Sequence, residues 1–349
     1  MKLIGAFVIG TSVFLASFVI FWFNEGRLDL SKVARGSKIV GADTIAEGQK
    51  GGLVSVTGSL SSRERIVDPL CGFGGDYIQL VRSVEMFSWE ERSASRESSR
   101  DSEGRRRYSY RRVWTEEPAD SDRFQRPSGH TNPPLPLSSK TFTAKTASIG
   151  VYLVDPPGLR LPEPVKLSLP PDLVAGAQGT IVRGDVIFRG AGTYDQPQIG
   201  DVRIGYHGVE SDRRATVFGK LAGDRIVPFF YKGKHRLYRA IEGERDEGIA
   251  KMAMEHKAIT WALRFLGFVA MWLGLWLFLG PVNAVLNLVP VLGSVGRLFV
   301  GFVSFFVALA LSTLVILVSV IGHNLVGLVL VLMAGTGAVL LRRSRATPQ

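Results

Sequence analysis

Five histidines and one cysteine are the side chains of this 349-residue sequence with the readiest chemistry, and their spacing limits what they can do. His130, His207, His235, His256 and His323 are scattered, with no H-E-x-x-H pattern and no Cys/His pairs at zinc spacing. Cys71 could serve as a nucleophile only with a base beside it in the fold, which a sequence does not show, and it reads first as a structural thiol. A single cysteine also rules out an intrachain disulfide framework. Gly72-Phe73-Gly74-Gly75-Asp76 is glycine-rich but lacks the Lys-Ser/Thr of a phosphate-binding loop, which makes it a turn. No G-x-S-x-G nucleophile elbow is present. The sequence therefore assigns no catalytic, cofactor-binding or metal-ligating residue, and it implies no cofactor.

The elements that would position such residues are set by the charge distribution. Residues 3–23 are 21 consecutive uncharged residues, and in residues 265–341 the only Lys, Arg, Asp or Glu is Arg297. About 20 apolar residues in a helix cross a bilayer core of about 30 Å. The reading is four transmembrane helices at 3–23, 258–280, 298–320 and 322–341, with an apolar interfacial connector at 281–297 broken by Pro281 and Pro290. A signal peptide would have a shorter apolar core; the bulky Phe21-Trp22-Phe23 end fits an uncleaved anchor at a membrane interface. Arg264, Arg297 and His323 fall near span ends and read as interfacial groups rather than a transport route. Gly267, Gly274, Gly293, Gly296 and Gly301 read as places for close helix packing.

Residues 24–257 hold all 31 acidic residues and 36 of the 42 basic ones, so the net charge of +11 shrinks to a modest excess in the extramembrane domain. That balance does not argue for a nucleic-acid partner. Short β-rich runs bounded by turn residues cover Leu53–Leu60, Tyr77–Phe87, Ser148–Val154, Gly179–Phe188, Val202–Tyr206, Thr216–Leu221 and Ile226–Tyr231. Leu30–Ile45 and Ile241–Lys257 read as helices, the second able to continue into a membrane span. The fold class is thus a membrane protein with a mainly β, α+β extramembrane domain. Val56–Leu60 and Val217–Leu221 share a V-x-G-x-L pattern, each followed by Arg-Ile-Val, which suggests either a duplicated unit or hairpin convergence. Glu91–Arg112 is polar and Arg-rich: a solvated loop between strands, or a contact for anionic headgroups through Arg105–Arg107, Tyr108 and Tyr110. The Pro-rich His130–Pro136 reads as a linker or surface loop.

Arg297, Arg342, Arg343 and Arg345 favour a cytoplasmic C-terminus, and an even number of spans then places the N-terminus on the same side. Arg27, Lys32, Arg35 and Lys38 pull the other way, but long domains translocate largely regardless of charge. The expectation is a domain outside the cytoplasm.

Several ordered blocks together resemble the transmembrane protein 43 (LUMA) family. Asn24-Glu25-Gly26-Arg27 resembles its N-E-G-R signature, and Arg82–Glu91 its R-x-V-E-M-Y-x-W-x-E block, with Phe87 in the Tyr place. Tyr108, Tyr110, Trp114, Asp120-Ser121, Phe124 and Asn132-Pro133 follow its Y-x-Y, W, D-S, F, N-P order, and Gly200-Asp201-Val202-Arg203 its G-D-V-R turn. Gly322-His323-Asn324 departs from its more aromatic, Arg-Pro-containing last turn. The resemblance implies four spans, a lumenal or periplasmic domain and no enzymatic activity. For animal members it implies self-association and nuclear-envelope organisation through lamins and emerin-like proteins. The leading expectation is a non-enzymatic multi-pass scaffold in the lipid bilayer, self-associating and binding membrane-protein or lipid partners. Its place would be the inner (plasma) membrane of a bacterium, or the endoplasmic reticulum and inner nuclear membrane of a eukaryote. The rivals are a lipid-handling or small-solute protein with a pocket among the C-terminal helices, and a membrane hydrolase using Cys71 or a Ser with a His.

Overall fold

The computed structural model describes residues 2–46, 51–93, 108–170, 173, 180–280, 292–323 and 329. They fall into two compact units, Val33–Ile249 and a second made of Met1–Lys32 with Ala250–Gln349.

The first unit is mainly β. One seven-stranded sheet runs Lys38–Val40, Leu53–Ser61, Ala147–Ile149, Tyr152–Val154, Arg225–Val227, Arg213–Ala222 and Arg239–Glu242. Because Leu53–Ser61 also pairs directly with Arg213–Ala222, five of these strands close into a small barrel. Period-2 alternation sends Val54, Val56, Leu60, Val217, Leu221, Ile149 and Tyr152 into its core. The shared V-x-G-x-L pattern is the inward-facing set of two paired neighbours, with Val56 opposite Val217. Their glycines sit where the interior is narrow: a Cβ at Gly219 would lie 2.5 Å from the Ile226 side chain. The Arg-Ile-Val that follows goes to different places, back onto the barrel at Arg225–Val227 but into a separate hairpin with Gly74-Gly75 at Ile66–Val67. Two equivalent modules are not formed.

The second seven-stranded sheet is built on the long strand Tyr77–Ser93, flanked by Val202–Glu210 and Tyr108–Thr115. Leu80, Val84 and Met86 point inward with Ile187, Val202, Ile204 and Tyr206. The Leu30–Ile45 helix is overturned. Only α2, Leu30–Arg35, forms, started by the Asp29 carboxylate accepting from the Ser31 N–H at 3.0 Å and ended at Gly36 and Ser37. Lys38–Val40 then pairs in parallel with Val54–Val56, so tertiary pairing prevails over the weak helical pattern.

In the second unit α1 spans Lys2–Glu25. Helix α3, Arg245–Phe278, begins in the first unit and continues unbroken into apolar sequence. The Glu244 N–H donates to Glu247 at 3.1 Å, half of a capping box. Helix α4, Leu292–His323, starts inside the segment read as a connector, just past Pro290, which can precede but not continue a helix. Three helices among the described residues are long and apolar enough to cross a membrane: Ile4–Arg35, Arg245–Phe278 and Phe299–His323. The first of these stretches runs from α1 through a turn into α2. The expected fourth span, 322–341, lies outside the described residues except for Gly322, His323 and Val329, as does the rest of the connector. Among the described residues, then, three helices qualify as spans, and the expected fourth is not among them.

Candidate functional site

The strict alternation of Tyr77–Ser93 puts Arg82 in phase with Leu80 and Val84, so a guanidinium enters the core of the second sheet. The hairpin loop after Ile66–Val67 meets it. Gly72, at φ +66°, lets the chain reverse so that the Gly72 N–H donates to the Asp68 carbonyl, and the Asp68 carboxylate turns inward. Arg82 Nη1 donates to both Asp68 oxygens at 2.8 and 2.9 Å, the Tyr206 hydroxyl donates at 2.5 Å, and the Leu70 N–H at 3.0 Å. The remaining guanidinium donors reach the Ser138 carbonyl at 3.3 and 3.0 Å. Asp68 and Tyr206 are fully buried, and the Cys71 thiol lies beside the phenol.

Every acceptor site of this carboxylate is thus engaged inside the protein, and the neighbour of Cys71 is a phenol. Burial first, then the Asp68 carboxylate and Cys71, push the Tyr206 hydroxyl far above the ordinary phenol value of 10. The folded state binds this proton more tightly than the unfolded state does. Its contribution is therefore intact below about pH 10 and lost as pH rises beyond it. Tyr206→Phe is expected to flatten the alkaline loss of stability by up to about 1.4 kcal/mol per pH unit. Unfolding midpoints followed from neutral to alkaline pH measure this, and an unchanged slope would sink the assignment.

The outward face of the same sheet carries the blocks singled out in the sequence, and they meet one another. Glu85 pairs with Arg203 at 2.6 Å, and that guanidinium lies 4.8 Å from the Trp114 ring centre. Trp114 contacts Phe87 at 5.3 Å, and Arg112 lies over both Phe87 and Trp89. Glu91 accepts from the Tyr110 hydroxyl at 2.6 Å and from the Gln125 N–H at 2.7 Å. His130 stacks on Tyr110 at 3.8 Å. The Asn132 side chain imitates a strand: its oxygen accepts from the Trp89 N–H at 2.7 Å and its amide donates to the Trp89 carbonyl at 2.9 Å. Buried Asp201 accepts from the N–H groups of Ala191, Gly192 and Gln198, fixing the loop ahead of its own strand.

In the helical unit, Glu25 holds Arg264 through two bonds of 2.8 Å, and the Asn24 amide donates to the Thr260 carbonyl at 3.1 Å. Arg264, its side chain 25% exposed, is therefore held by the carboxylate that ends α1. Its partner lies on another helix, out of reach of local pattern. The His323 ring packs on Trp22 at 4.3 Å and Nδ1 lies 2.8 Å from the Ser319 carbonyl. Between α1 and α4 a crevice of about 440 Å³ is lined by Phe18, Val19, Trp22, Phe23, Leu314, Val315, Val318 and Ser319.

The remaining candidates stay apart. Among the described residues no group of three or more His, Cys, Asp or Glu could hold a metal ion. Tyr108–Arg112 and Glu91–Ser93 form a strand pair, while the intervening 94–107 lie outside the described residues, as do the side chain of Arg297 and the surroundings of Gly293 and Gly296. Gly267 and Gly274 are packing positions, against the Phe21 ring and the Phe14 backbone; among the described residues nothing lies within 4 Å of a Cβ at Gly301. Sequence reasoning missed the Asp68–Arg82 pair, although a charged residue in phase with core positions was its visible sign.

Apolar helices with a β-rich extramembrane region define an integral membrane protein that passes the bilayer more than once. The family model described as Transmembrane protein 43 matches residues 86–324, and the chain belongs to that family. It is 29% identical over 332 residues to Transmembrane protein 43 of Pongo abelii and to that of Homo sapiens, covering 89% of this chain and 83% of each relative. It is 25% identical over 284 residues to the Transmembrane protein 43 homolog of Drosophila melanogaster, covering 76% and 74%. No solved structure matches the chain.

Proposed function

We propose that the chain is a non-enzymatic membrane scaffold whose β domain lies outside the cytoplasm and binds protein or lipid partners, while its helices anchor and self-associate. The observation that carries this reading is the closure of the Asp68–Arg82–Tyr206 network on itself, with Cys71 beside a phenol. Asp68, Arg82 and Tyr206 are spent on holding the domain together, which suits a binding platform. The crevice between α1 and α4 has the chemistry of acyl-chain contact rather than of a polar solute route, which weighs against the small-solute reading. Membership of the family supports an envelope or inner-membrane setting.

The test uses Cys71→Ser with exposed Ser128→Cys and a membrane-impermeant bis-maleimide. Addition to intact bacteria, or exclusion from sealed microsomes of a eukaryotic source, is expected for an external domain, and cross-linked dimers for self-association. The opposite sidedness, or monomeric adducts alone, overturns the corresponding half of the proposal.

A further inference from the structure

Between the barrel strands Arg225–Val227 and Arg239–Glu242 the chain makes a hairpin that joins neither large sheet; Phe229–Tyr231 pairs only with His235–Leu237. The register sets Phe229 opposite Leu237 and Tyr231 opposite His235 on one face, with Phe230 opposite Arg236 on the other. Leu237 is buried and anchors the first face, whereas Phe230 is 54% exposed. Residues 232–236, Lys-Gly-Lys-His-Arg, are all exposed, and no acidic residue interrupts Phe229–Arg236. Arg236 is tied back to the Gly158 carbonyl at 2.5 Å, but Lys232, Lys234 and His235 have no carboxylate partner among the described residues.

The turn fixes where these cations sit. Lys232 sits at φ +49°, a left-handed position that favours Gly or Asn, ahead of Gly233 at φ +70°. These two left-handed residues close the hairpin and place Lys232 and Lys234 at its exposed tip, with Phe230 two residues before Lys232.

We propose that this hairpin docks on an anionic phospholipid surface, Phe230 entering the headgroup layer while Lys232 and Lys234 contact headgroup phosphates. An aromatic ring flanked by long cationic side chains suits a boundary that is apolar within and anionic outside. Ammonium groups act as point charges toward phosphate and need no shaped receptor. The chain carries helices long and apolar enough to cross a bilayer, so a lipid surface is present wherever the chain is. The inference rests on the scaffold reading above, for which it names a lipid partner.

The experiment uses the full chain with Cys71→Ser and Phe230→Cys carrying an environment-sensitive NBD fluorophore. It is placed in nanodiscs of phosphatidylcholine with or without phosphatidylserine. Blue-shifted, stronger emission is expected only in the phosphatidylserine discs. Each cation adds about fivefold to attachment at such a surface, so Lys232→Gln with Lys234→Gln should weaken the response about 25-fold. Raising salt should abolish it, while the unfolding midpoint stays unchanged. Emission indifferent to phosphatidylserine overturns the proposal, as does a response seen only with added polyglutamate, which would assign the hairpin to an acidic protein. The Ser128→Cys result is independent: an external domain with a silent hairpin overturns the lipid assignment alone. A responsive hairpin on a cytoplasmic domain overturns the topology alone.

Discussion

Asp68→Ala is expected to lower the unfolding midpoint of the β unit by roughly 10 °C in detergent-solubilised full-length protein. The side chains of Asp68 and Arg82 are 0% and 8% exposed, so removing the carboxylate leaves a guanidinium with neither water nor counter-charge. Breaking one partner of such a pair costs about 3–5 kcal/mol. The Tyr206 hydroxyl and the Leu70 N–H lose their acceptor in the same step. At this size each kcal/mol moves the midpoint by about 2–4 °C. Exposed pairs set the contrast: Arg183 and Asp195 are 56% and 69% exposed, and Asp195→Ala should cost well under about 1 kcal/mol. Asp68→Leu combined with Arg82→Met removes both charges and should be milder than Asp68→Ala, since no buried charge is left unpaired. Near-ultraviolet circular dichroism on heating measures all three. An Asp68→Ala midpoint as close to wild type as that of Asp195→Ala would refute the buried pair.

Much of the β domain was legible because alternation is a local signal. Tyr77–Phe87 read as a strand for this reason, and it extends to Ser93 because Trp89 and Glu91 find Arg112 and Tyr110 across the hairpin. The same alternation displayed Arg82 among core positions. Its partner Asp68 sits in a turn, where no periodicity announces which way a side chain faces. Leu30–Ile45 misled in the opposite sense. Its apolar spacing resembled a helix, but Gly36-Ser37 ends α2 and a neighbouring strand captures Lys38–Val40.

The resemblance blocks were readable as patterns before their physical role was. Asn132 looked like part of a proline-rich surface loop; in the fold its amide completes the edge of the Tyr77–Ser93 strand, a contact over a sequence separation of 43 residues. Glu25 stood in the sequence only as part of the Asn24–Arg27 block, although it fixes Arg264 at a separation of 239. Hydropathy finds where helices cross a bilayer, but it says nothing about which polar residue at one helix end meets which on the next.

Within the helical unit the largest effect is expected from Gly274→Leu. A Cβ at Gly274 would lie 2.5 Å from the Phe14 nitrogen and 2.8 Å from its Cα, backbone atoms that cannot rotate aside. From the other helix, a Cβ at Gly10 would lie 2.6 Å from the Phe278 nitrogen and 2.9 Å from the Gly274 carbonyl oxygen. Helices α1 and α3 therefore touch backbone to backbone, and a leucine must force them apart. Lipid is as apolar as leucine, so helices in a bilayer gain from close contact rather than from leaving water, and separation forfeits that gain. Overpacking of this kind costs about 1–3 kcal/mol. At about 2 kcal/mol the contact population falls more than tenfold. Phe7 and Phe278, with ring centres 4.9 Å apart, offer the reporter: Phe7→Cys with Phe278→Cys, in Cys71→Ser, should form a disulfide on mild oxidation. Adding Gly274→Leu should suppress that disulfide, whereas Gly301→Leu, whose Cβ meets nothing within 4 Å among the described residues, should leave it intact. Equal yields in the two backgrounds would mean that α1 and α3 do not meet at these glycines.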